Sequence, residues 1–155
     1  MAMTLKRHGG GRHLWAFDTF EGMPSPGTND PPEAWEHVGT LRQDVEHVRA
    51  IFHRWDIRDG FTLVPGLFQD TVPRAAVKEI AVLHLDGDWY DSVKVCLDHL
   101  YDRVSPGGII QIDDYGHWSG ARRAVHDFLR NRGIRPSLRF VDSGGRQLVK
   151  AQVKS

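Results

Sequence analysis

The sequence predicts an α/β fold with a mostly parallel sheet, formed by a single domain over residues 1–155. Short apolar runs alternate with helical patterns along the chain, which is typical of strands connected through helices. The runs at residues 80–85 (IAVLHL) and 109–112 (IIQI) are apolar at nearly every position. Such runs indicate strands that are covered on both faces of the sheet. A chain of 155 residues is also long enough to bury a core without disulfides or a structural metal.

The individual elements follow from these patterns in chain order. Six strands are predicted, at residues 14–17, 61–64, 80–85, 109–112, 138–141 and 147–151. Three helices are predicted from apolar stripes at helical spacing, which consist of Val45, Val48, Ile51 and Phe52, of Val93, Leu97, Leu100 and Val104, and of Ala121, Val125, Phe128 and Leu129. The predicted helix boundaries are N-caps at Asp44, Asp91 and Ser119 and a C-terminal stop at Gly133.

Three connecting segments carry their own signals. Residues 105–108 (SPGG) predict a tight turn that leads into the next strand. Residues 24–36 hold four of the eight prolines and show no regular pattern, which is typical of a long loop that forms a lid or stays disordered. Glycines 9–11 precede a strand, whereas a phosphate-binding loop follows a strand and opens a helix. We therefore expect a helix end and a turn at these glycines.

Composition and charge exclude several classes of protein. Lysine and arginine together number 20, as do aspartate and glutamate, so we expect no nucleic-acid partner bound through a general basic field. No apolar run approaches the roughly 18 residues that span a bilayer, and residues 1–8 lack the apolar segment of a signal peptide. The single cysteine, Cys96, forms no internal disulfide, which favours a reducing, cytoplasmic location. The sequence is silent on the oligomeric state, so a homo-oligomer stays open.

Two acidic clusters follow two of the predicted strands. Asp86 and Asp88 come directly after residues 80–85, and Asp113 and Asp114 come directly after residues 109–112. Ligands of open α/β sheets bind outside the carboxyl ends of the strands, so we expect both clusters to face one crevice. Two carboxylates 4 Å apart repel by about 4 kcal/mol at an effective dielectric near 20. Protonation or a hard cation such as Mg²⁺ would offset this repulsion, unless the aspartates only cap the helices that follow.

Other candidate binding residues follow the remaining strands. Asp18 ends the strand at residues 14–17, where an acid typically accepts hydrogen bonds from ribose hydroxyls or forms a turn. Phe68 follows the strand at residues 61–64 and either lies against a base or belongs to the core. His84 and His117 flank the acidic clusters, and the sequence leaves open whether they are structural or catalytic.

Four segments together resemble one family. Phosphatases of the haloacid-dehalogenase type and metal-dependent glycosyltransferases also place Asp-x-Asp after a strand, but neither pattern accounts for residues 18–22 (DTFEG). Residues 14–24, 65–73, 85–90 and 107–115 instead resemble, in order and spacing, the macrocin-, mycinamicin- and novobiocin-type sugar O-methyltransferases. The resemblance covers roughly residues 12 to 130 and implies a Rossmann-like class I methyltransferase fold.

The resemblance also implies a reaction and a set of roles. The expected reaction is methylation, dependent on S-adenosylmethionine and Mg²⁺, of a sugar hydroxyl on a glycosylated metabolite or glycolipid. Asp86, Asp113 and Asp114 would bind the metal, and Asp88 would be the general base. The residues expected to line the cofactor are Asp18, Thr19, Phe20, Glu21, Gly22, Phe68, Asp86 and Gly87.

The sequence departs from this family at its start. The family's first strand and its glycine-containing loop, which hold the methionine end of the cofactor, have no counterpart here. We therefore expect an N-terminally truncated chain with an opening in the sheet between the strands at residues 14–17 and 80–85, and an unpaired strand edge on each side of it. The alternative to an enzyme is a non-catalytic remnant or half-domain that retains only metal binding.

Overall fold

The computed structural model describes residues 1–8 and 10–151, which form an α/β fold as predicted. The α-helices are α1 (Ala2–His8), α2 (Val45–Arg54), α3 (Phe68–Thr71), α4 (Tyr90–Leu100) and α5 (Ser119–Asn131). The strands are β1 (Leu14–Asp18), β2 (Phe61–Pro65), β3 (Ile80–Leu85), β4 (Val104–Ile112), β5 (Arg139–Phe140) and β6 (Arg146–Val149). Short 3-10 helices lie at Pro32–His37, Val72–Arg74 and Tyr101–Arg103. Within the described part of the chain, no helix has the length and apolar character needed to cross a membrane.

The strands form two separate sheets. β1 and β2 pair in parallel, with Leu14 opposite Phe61 and Asp18 opposite Pro65. The second sheet has the order β3-β4-β6-β5, in which β3 and β4 are parallel and β6 is antiparallel to both of its neighbours. The predicted strands are confirmed to within two residues at their ends, except that β4 begins at Val104, five residues before the predicted start. The prediction that Val104 belongs to the helix of Val93, Leu97 and Leu100 is wrong, because α4 ends at Leu100.

Helices α4 and α5 cover one face of the four-stranded sheet. The buried residues of this core include Leu83, Leu85, Val93, Leu97, Ile110, Ile112, Val125, Phe128 and Leu148. The opposite face is open on β3, where the side chain of Val82 is 47% exposed. The prediction that residues 80–85 and 109–112 are covered on both faces is wrong for the described residues, because the burial of β3 and β4 largely alternates along each strand.

The two sheets are not joined edge to edge, which leaves an opening between β1 and β3. β1 pairs with β2 alone and β3 with β4 alone, and the described residues place no strand between β1 and β3. Phe17 of β1 nevertheless packs against the core of the second sheet, so the opening lies inside the fold. The expectation of two unpaired edges at this place is confirmed.

Two of the four predicted helix boundaries are confirmed by the structure. Asp44 caps α2 by accepting hydrogen bonds from the backbone amides of Glu46 and His47, as predicted. Asp91 and Ser119 are not N-caps, because Trp89 and Trp118 occupy the cap positions of α4 and α5. Gly133 follows α5 with a φ of 63°, as expected for a helix stop.

The connecting segments differ in part from expectation. Residues 105–108 form an irregular part of β4 rather than a separate turn, since the register with β3 shifts there. The loop at residues 24–36 contains a 3-10 helix, Pro32–His37, where no regular structure was predicted. Gly10 and Gly11 form the expected turn after α1, both with positive φ, and Gly9 lies outside the described residues.

Candidate active site

Three carboxylates converge at the carboxyl ends of β3 and β4. Asp86 and Asp88 follow β3, and Asp114 follows β4. One carboxylate oxygen of each residue lies within 4.8 Å of the corresponding oxygens of the other two. They meet because parallel strands end at the same edge of a sheet. The prediction that the two acidic clusters face one crevice is confirmed for Asp86, Asp88 and Asp114, whereas Asp113 does not belong to the converging group.

Asp114 is the most deeply placed of these acids. The residue is 8% exposed, and its Oδ2 has no hydrogen-bond partner among the residues that the structure describes. Burial, followed by the negative charges of Asp88, Asp86 and Asp113, raises the pKa of this carboxyl from 3.8 to about 7. A buried carboxylate oxygen without a partner is costly, so this site favours a proton or a cation.

Asp88 is held in an unusual backbone conformation beside Asp114. Its φ of 55° lies in the left-handed region, which costs free energy in a residue other than glycine and recurs at functional sites. Burial, followed by the charge of Asp86, raises its pKa from 3.8 to about 6. The Trp118 indole N–H donates to Asp88 Oδ1 at 3.2 Å, and this hydrogen bond acts in the opposite direction on the pKa.

Asp113 lies next to the cluster but faces a histidine. Its Oδ1 is 3.4 Å from Nε2 of His84, and 45% of its side chain is exposed. His117 Nδ1 lies 3.9 Å from Asp114 Oδ1. Both histidines that flank the acidic clusters in sequence therefore also flank them in space.

The cluster fits a hard divalent cation. Its donors are carboxylate oxygens, which Mg²⁺ and Ca²⁺ prefer, and the unpartnered Oδ2 of Asp114 is available to such an ion. A cation would also offset the mutual repulsion that contributes to the raised pKa values of Asp88 and Asp114. The described residues therefore fit the metal that the sequence predicts.

A cavity of about 140 Å³ adjoins the acidic cluster. It lies between the ends of β1, β2 and β3. Of the residues predicted to line the cofactor, those that line this cavity are Asp18, Thr19, Gly22, Phe68, Asp86 and Gly87. Phe20 and Glu21 are not among its lining residues; they belong to the turn after β1.

The turn after β1 is tightly fixed. Asp18 Oδ1 accepts a hydrogen bond from the Phe20 amide at 2.7 Å, and the Thr19 hydroxyl donates to the Gly22 carbonyl at 2.6 Å. A Cβ atom at Gly22 would lie 2.6 Å from the carbonyl oxygens of Gly39 and Thr40. Only glycine fits this position, where the chain crosses close to another backbone segment.

The loop at residues 24–36 is folded onto the site. The Trp89 indole N–H donates to the Pro24 carbonyl at 2.7 Å, and Ala34 is fully buried beside Trp89. His37 meets the edge of the Trp118 ring, with 5.1 Å between the ring centres.

Sequence reasoning missed four residues that support the site. They are Asp30, His37, Trp89 and Trp118. The only signal available was the position of the two tryptophans shortly after the acidic motifs.

Comparison with known proteins matches this arrangement to one family. The model described as macrocin-O-methyltransferase (TylF) matches residues 1–148. The 8-demethyl-8-(2,3-dimethoxy-alpha-L-rhamnosyl)-tetracenomycin-C 4'-O-methyltransferase of Streptomyces olivaceus is 39% identical over 152 residues, which cover 94% of this chain and 58% of that protein. The mycinamicin III 3''-O-methyltransferase of Micromonospora griseorubida is 33% identical over 142 residues, which cover 86% and 56% respectively. The chain thus spans little more than half the length of these relatives.

Solved structures agree with the predicted fold class. The O-methyltransferase NovP matches with a TM-score of 0.89 at 30% identity, over 98% of this chain and 66% of its own. The calicheamicin methyltransferase CalS11 matches with a TM-score of 0.73 at 22% identity, over 89% of this chain and 60% of its own. At that identity, the second match supports the fold alone.

Proposed function

Because the chain belongs to the macrocin O-methyltransferase family, we propose that it methylates a sugar hydroxyl, using S-adenosylmethionine and Mg²⁺. The acceptor we propose is a glycosylated metabolite or a glycolipid; a rhamnosyl group in the name of one relative supports a sugar acceptor. The observation that carries the proposal is the convergence of the Asp86, Asp88 and Asp114 carboxylates, together with the unpartnered Oδ2 of Asp114. The buried free thiol of Cys96 supports a cytoplasmic location.

We assign metal binding to Asp86, Asp113 and Asp114. The close approach of Asp86 and Asp114 supports two of these ligands, and the charge of Asp113 acts on the Asp114 carboxyl. When bound, Mg²⁺ would supply positive charge that favours the ionised form of a coordinated hydroxyl. Asp88 lies in the same cluster, so it would be within reach of a hydroxyl bound there.

Asp88 is the proposed general base. A base is most effective when its pKa lies near the working pH, and the raised pKa of Asp88, about 6, meets this condition while leaving the carboxylate ionised at neutral pH. The hydrogen bond from Trp118 holds Oδ1 in one orientation. Asp88 would therefore accept the hydroxyl proton of the acceptor as its oxygen bonds to the methyl carbon, while the bond from that carbon to the cofactor sulfur breaks and the sulfur leaves as a neutral thioether.

The cavity beside β1 supports a partial cofactor site. S-Adenosylmethionine supplies the methyl group that is transferred. Asp18 would accept hydrogen bonds from the ribose hydroxyls, and Phe68 would lie against the base, since both line the cavity. Its volume of about 140 Å³ is below the roughly 300–1,000 Å³ of complete ligand pockets. The cavity therefore supports the adenosine end of the cofactor, and no described residue is assigned to the methionine end.

A second function remains in competition, namely a non-catalytic remnant or half-domain that retains only metal binding. The opening between β1 and β3 favours it, because unpaired strand edges inside a fold leave the cofactor side incomplete. The acidic cluster is common to both functions. The two functions differ in methyl transfer, which only the enzyme would carry out.

The experiment that tests the enzyme proposal measures transfer of a labelled methyl group to a panel of glycosylated acceptors, with Mg²⁺ or EDTA. Where another segment fills the opening between β1 and β3, wild-type turnover that EDTA removes is the expected result. Asp88→Asn should remove turnover and spare Mg²⁺ affinity, whereas Asp113→Asn should weaken Mg²⁺ binding. Equal loss of Mg²⁺ affinity in both variants would contradict the assigned roles. Mg²⁺ binding by a wild-type chain without any turnover would favour the remnant.

A further inference from the structure

Asp30, in the loop over the site, reaches the start of a distant helix. Its Oδ1 accepts a hydrogen bond from the backbone amide of Tyr90, the first residue of α4, at 2.8 Å. Its Oδ2 accepts from the amide of Gly27 in its own loop, also at 2.8 Å. Trp89 occupies the N-cap position of α4 but makes no capping hydrogen bond with its side chain. Asp30 therefore supplies from the loop the cap that α4 lacks.

The same carboxylate lies against the start of α5. A Cβ atom at Gly120, in the first turn of α5, would overlap Asp30 Oδ1. The carboxylate therefore occupies space that only a glycine leaves free. Two helix N-termini meet at this point, and each favours a negative charge.

The two helix starts are the segments that carry the proposed base and its hydrogen-bond donor. Asp88 lies two residues before Tyr90, and Trp118 lies two residues before Gly120. The loop that carries Asp30 also packs Ala34 into the cluster formed with Trp89 and Trp118. Asp30 thus contacts the first turns of the two helices that directly follow Asp88 and Trp118.

We propose that Asp30 is a positioning residue that fixes the starts of α4 and α5, and so holds the Trp118 indole against Asp88. The consequence for catalysis rests on the proposed function, since it requires Asp88 to act as the base. The effect on the position of Trp118 does not depend on the proposed function. Loss of the Asp30 carboxylate should open the loop and release Trp118 whether or not the chain transfers methyl groups.

Two readouts report this geometry without any activity. The chain has five tryptophans, so a nitrogen-15 NMR spectrum shows five indole N–H signals, and Trp118→Phe identifies the signal of Trp118. Glu33 and Glu36 are exposed residues of the loop, so the rate of cleavage by a glutamate-specific protease reports loop opening. Asp30→Ala should shift the Trp118 signal and raise cleavage about tenfold, as expected when one charge-assisted hydrogen bond is lost.

Three further variants make the test specific. Gly120→Ala should reproduce both changes, because its methyl group displaces the carboxylate without removing the charge. Asp30→Asn keeps one acceptor oxygen and should fall between wild type and Asp30→Ala. Asp44→Ala is the matched control, since it removes an N-cap from α2 and should leave the Trp118 signal and loop cleavage unchanged.

The outcomes separate the proposal from the proposed function. An unchanged Trp118 signal in Asp30→Ala, or an equal change in Asp44→Ala, would overturn the positioning role. If the wild type transfers methyl groups, Asp30→Ala should lower kcat about tenfold at unchanged KM for the cofactor, and an unchanged kcat would also overturn it. A wild type without turnover would remove the proposed function, and the NMR and cleavage results would still decide the role of Asp30.

Discussion

Replacing Asp114 by asparagine should stabilise the cation-free protein. The carboxyl of Asp114 is buried among three other acids, which together with burial raise its pKa from 3.8 to about 7. The native chain then binds more protons than the unfolded chain between these two pH values, so the free energy of unfolding falls as the pH rises across that window. Above pH 7 the full cost of the buried charge is present. Asparagine carries no such charge.

The pKa change sets the size of this effect. A rise from 3.8 to about 7 corresponds to about 4 kcal/mol at pH 8, at about 1.4 kcal/mol for each pKa unit. Because Asp114 is only 8% exposed, solvent screening removes little of this value. The new amide must also be accommodated among the neighbouring acids, at a cost of about 1–3 kcal/mol if its N–H groups find no partner. We expect a net stabilisation of about 1–4 kcal/mol at pH 8.

Urea denaturation followed by tryptophan fluorescence measures this effect. In EDTA, Asp114→Asn should be more stable than wild type at pH 8, and this advantage should disappear near pH 4. Saturating Mg²⁺ should stabilise the wild type and leave the variant unchanged. Asp70→Asn, at an exposed carboxylate outside the cluster, is the control and should change neither result. Destabilisation by Asp114→Asn at pH 8 in EDTA would refute the argument that repulsion dominates this cluster.

Three further predictions concern the turn after β1, the proposed base Asp88 and the proposed cofactor site. Gly22→Ala should lower the free energy of unfolding by about 3 kcal/mol, because its Cβ would overlap two carbonyl oxygens; Gly133→Ala, with positive φ but open space, should cost about 1 kcal/mol by comparison. Trp118→Phe removes a hydrogen bond that lowers the pKa of Asp88, so the acidic limb of the kcat/KM profile should move to higher pH, and a move to lower pH would count against Asp88 as the base. Calorimetry should show weak or no binding of S-adenosylmethionine to the 155-residue chain unless another segment fills the opening between β1 and β3; tight one-to-one binding would contradict this.

The strands could be predicted because their apolar runs are local signals. Residues 80–85 form β3 as expected, but a continuous apolar run predicts cover on both faces, and β3 is open on one of them. Val82 shows why this failed, since an apolar side chain has the same sequence signature whether or not a helix lies over it, and here it is 47% exposed. The opening beside β3 could be predicted only through the resemblance to a family.

The acidic cluster could be predicted from sequence, whereas its support could not. Asp86 and Asp114 follow parallel strands, and strand ends converge by the geometry of the sheet. Asp30 makes its decisive contact with Tyr90, 60 positions away, and no local pattern indicates such a partner. Asp91 was expected to cap α4 because it precedes an apolar stripe, but the loop supplies that cap from Asp30 instead.

A crystal soaked in Mn²⁺ would show directly whether the paired strand ends hold an ion. We expect one anomalous-scattering peak, bounded by carboxylate oxygens of Asp86, Asp113 and Asp114 and lying close to Asp88, with no peak at this place in Asp114→Asn crystals. A wild-type map without density there, or with Mn²⁺ bound only at unrelated surface acids, would contradict the proposed metal-assisted reaction.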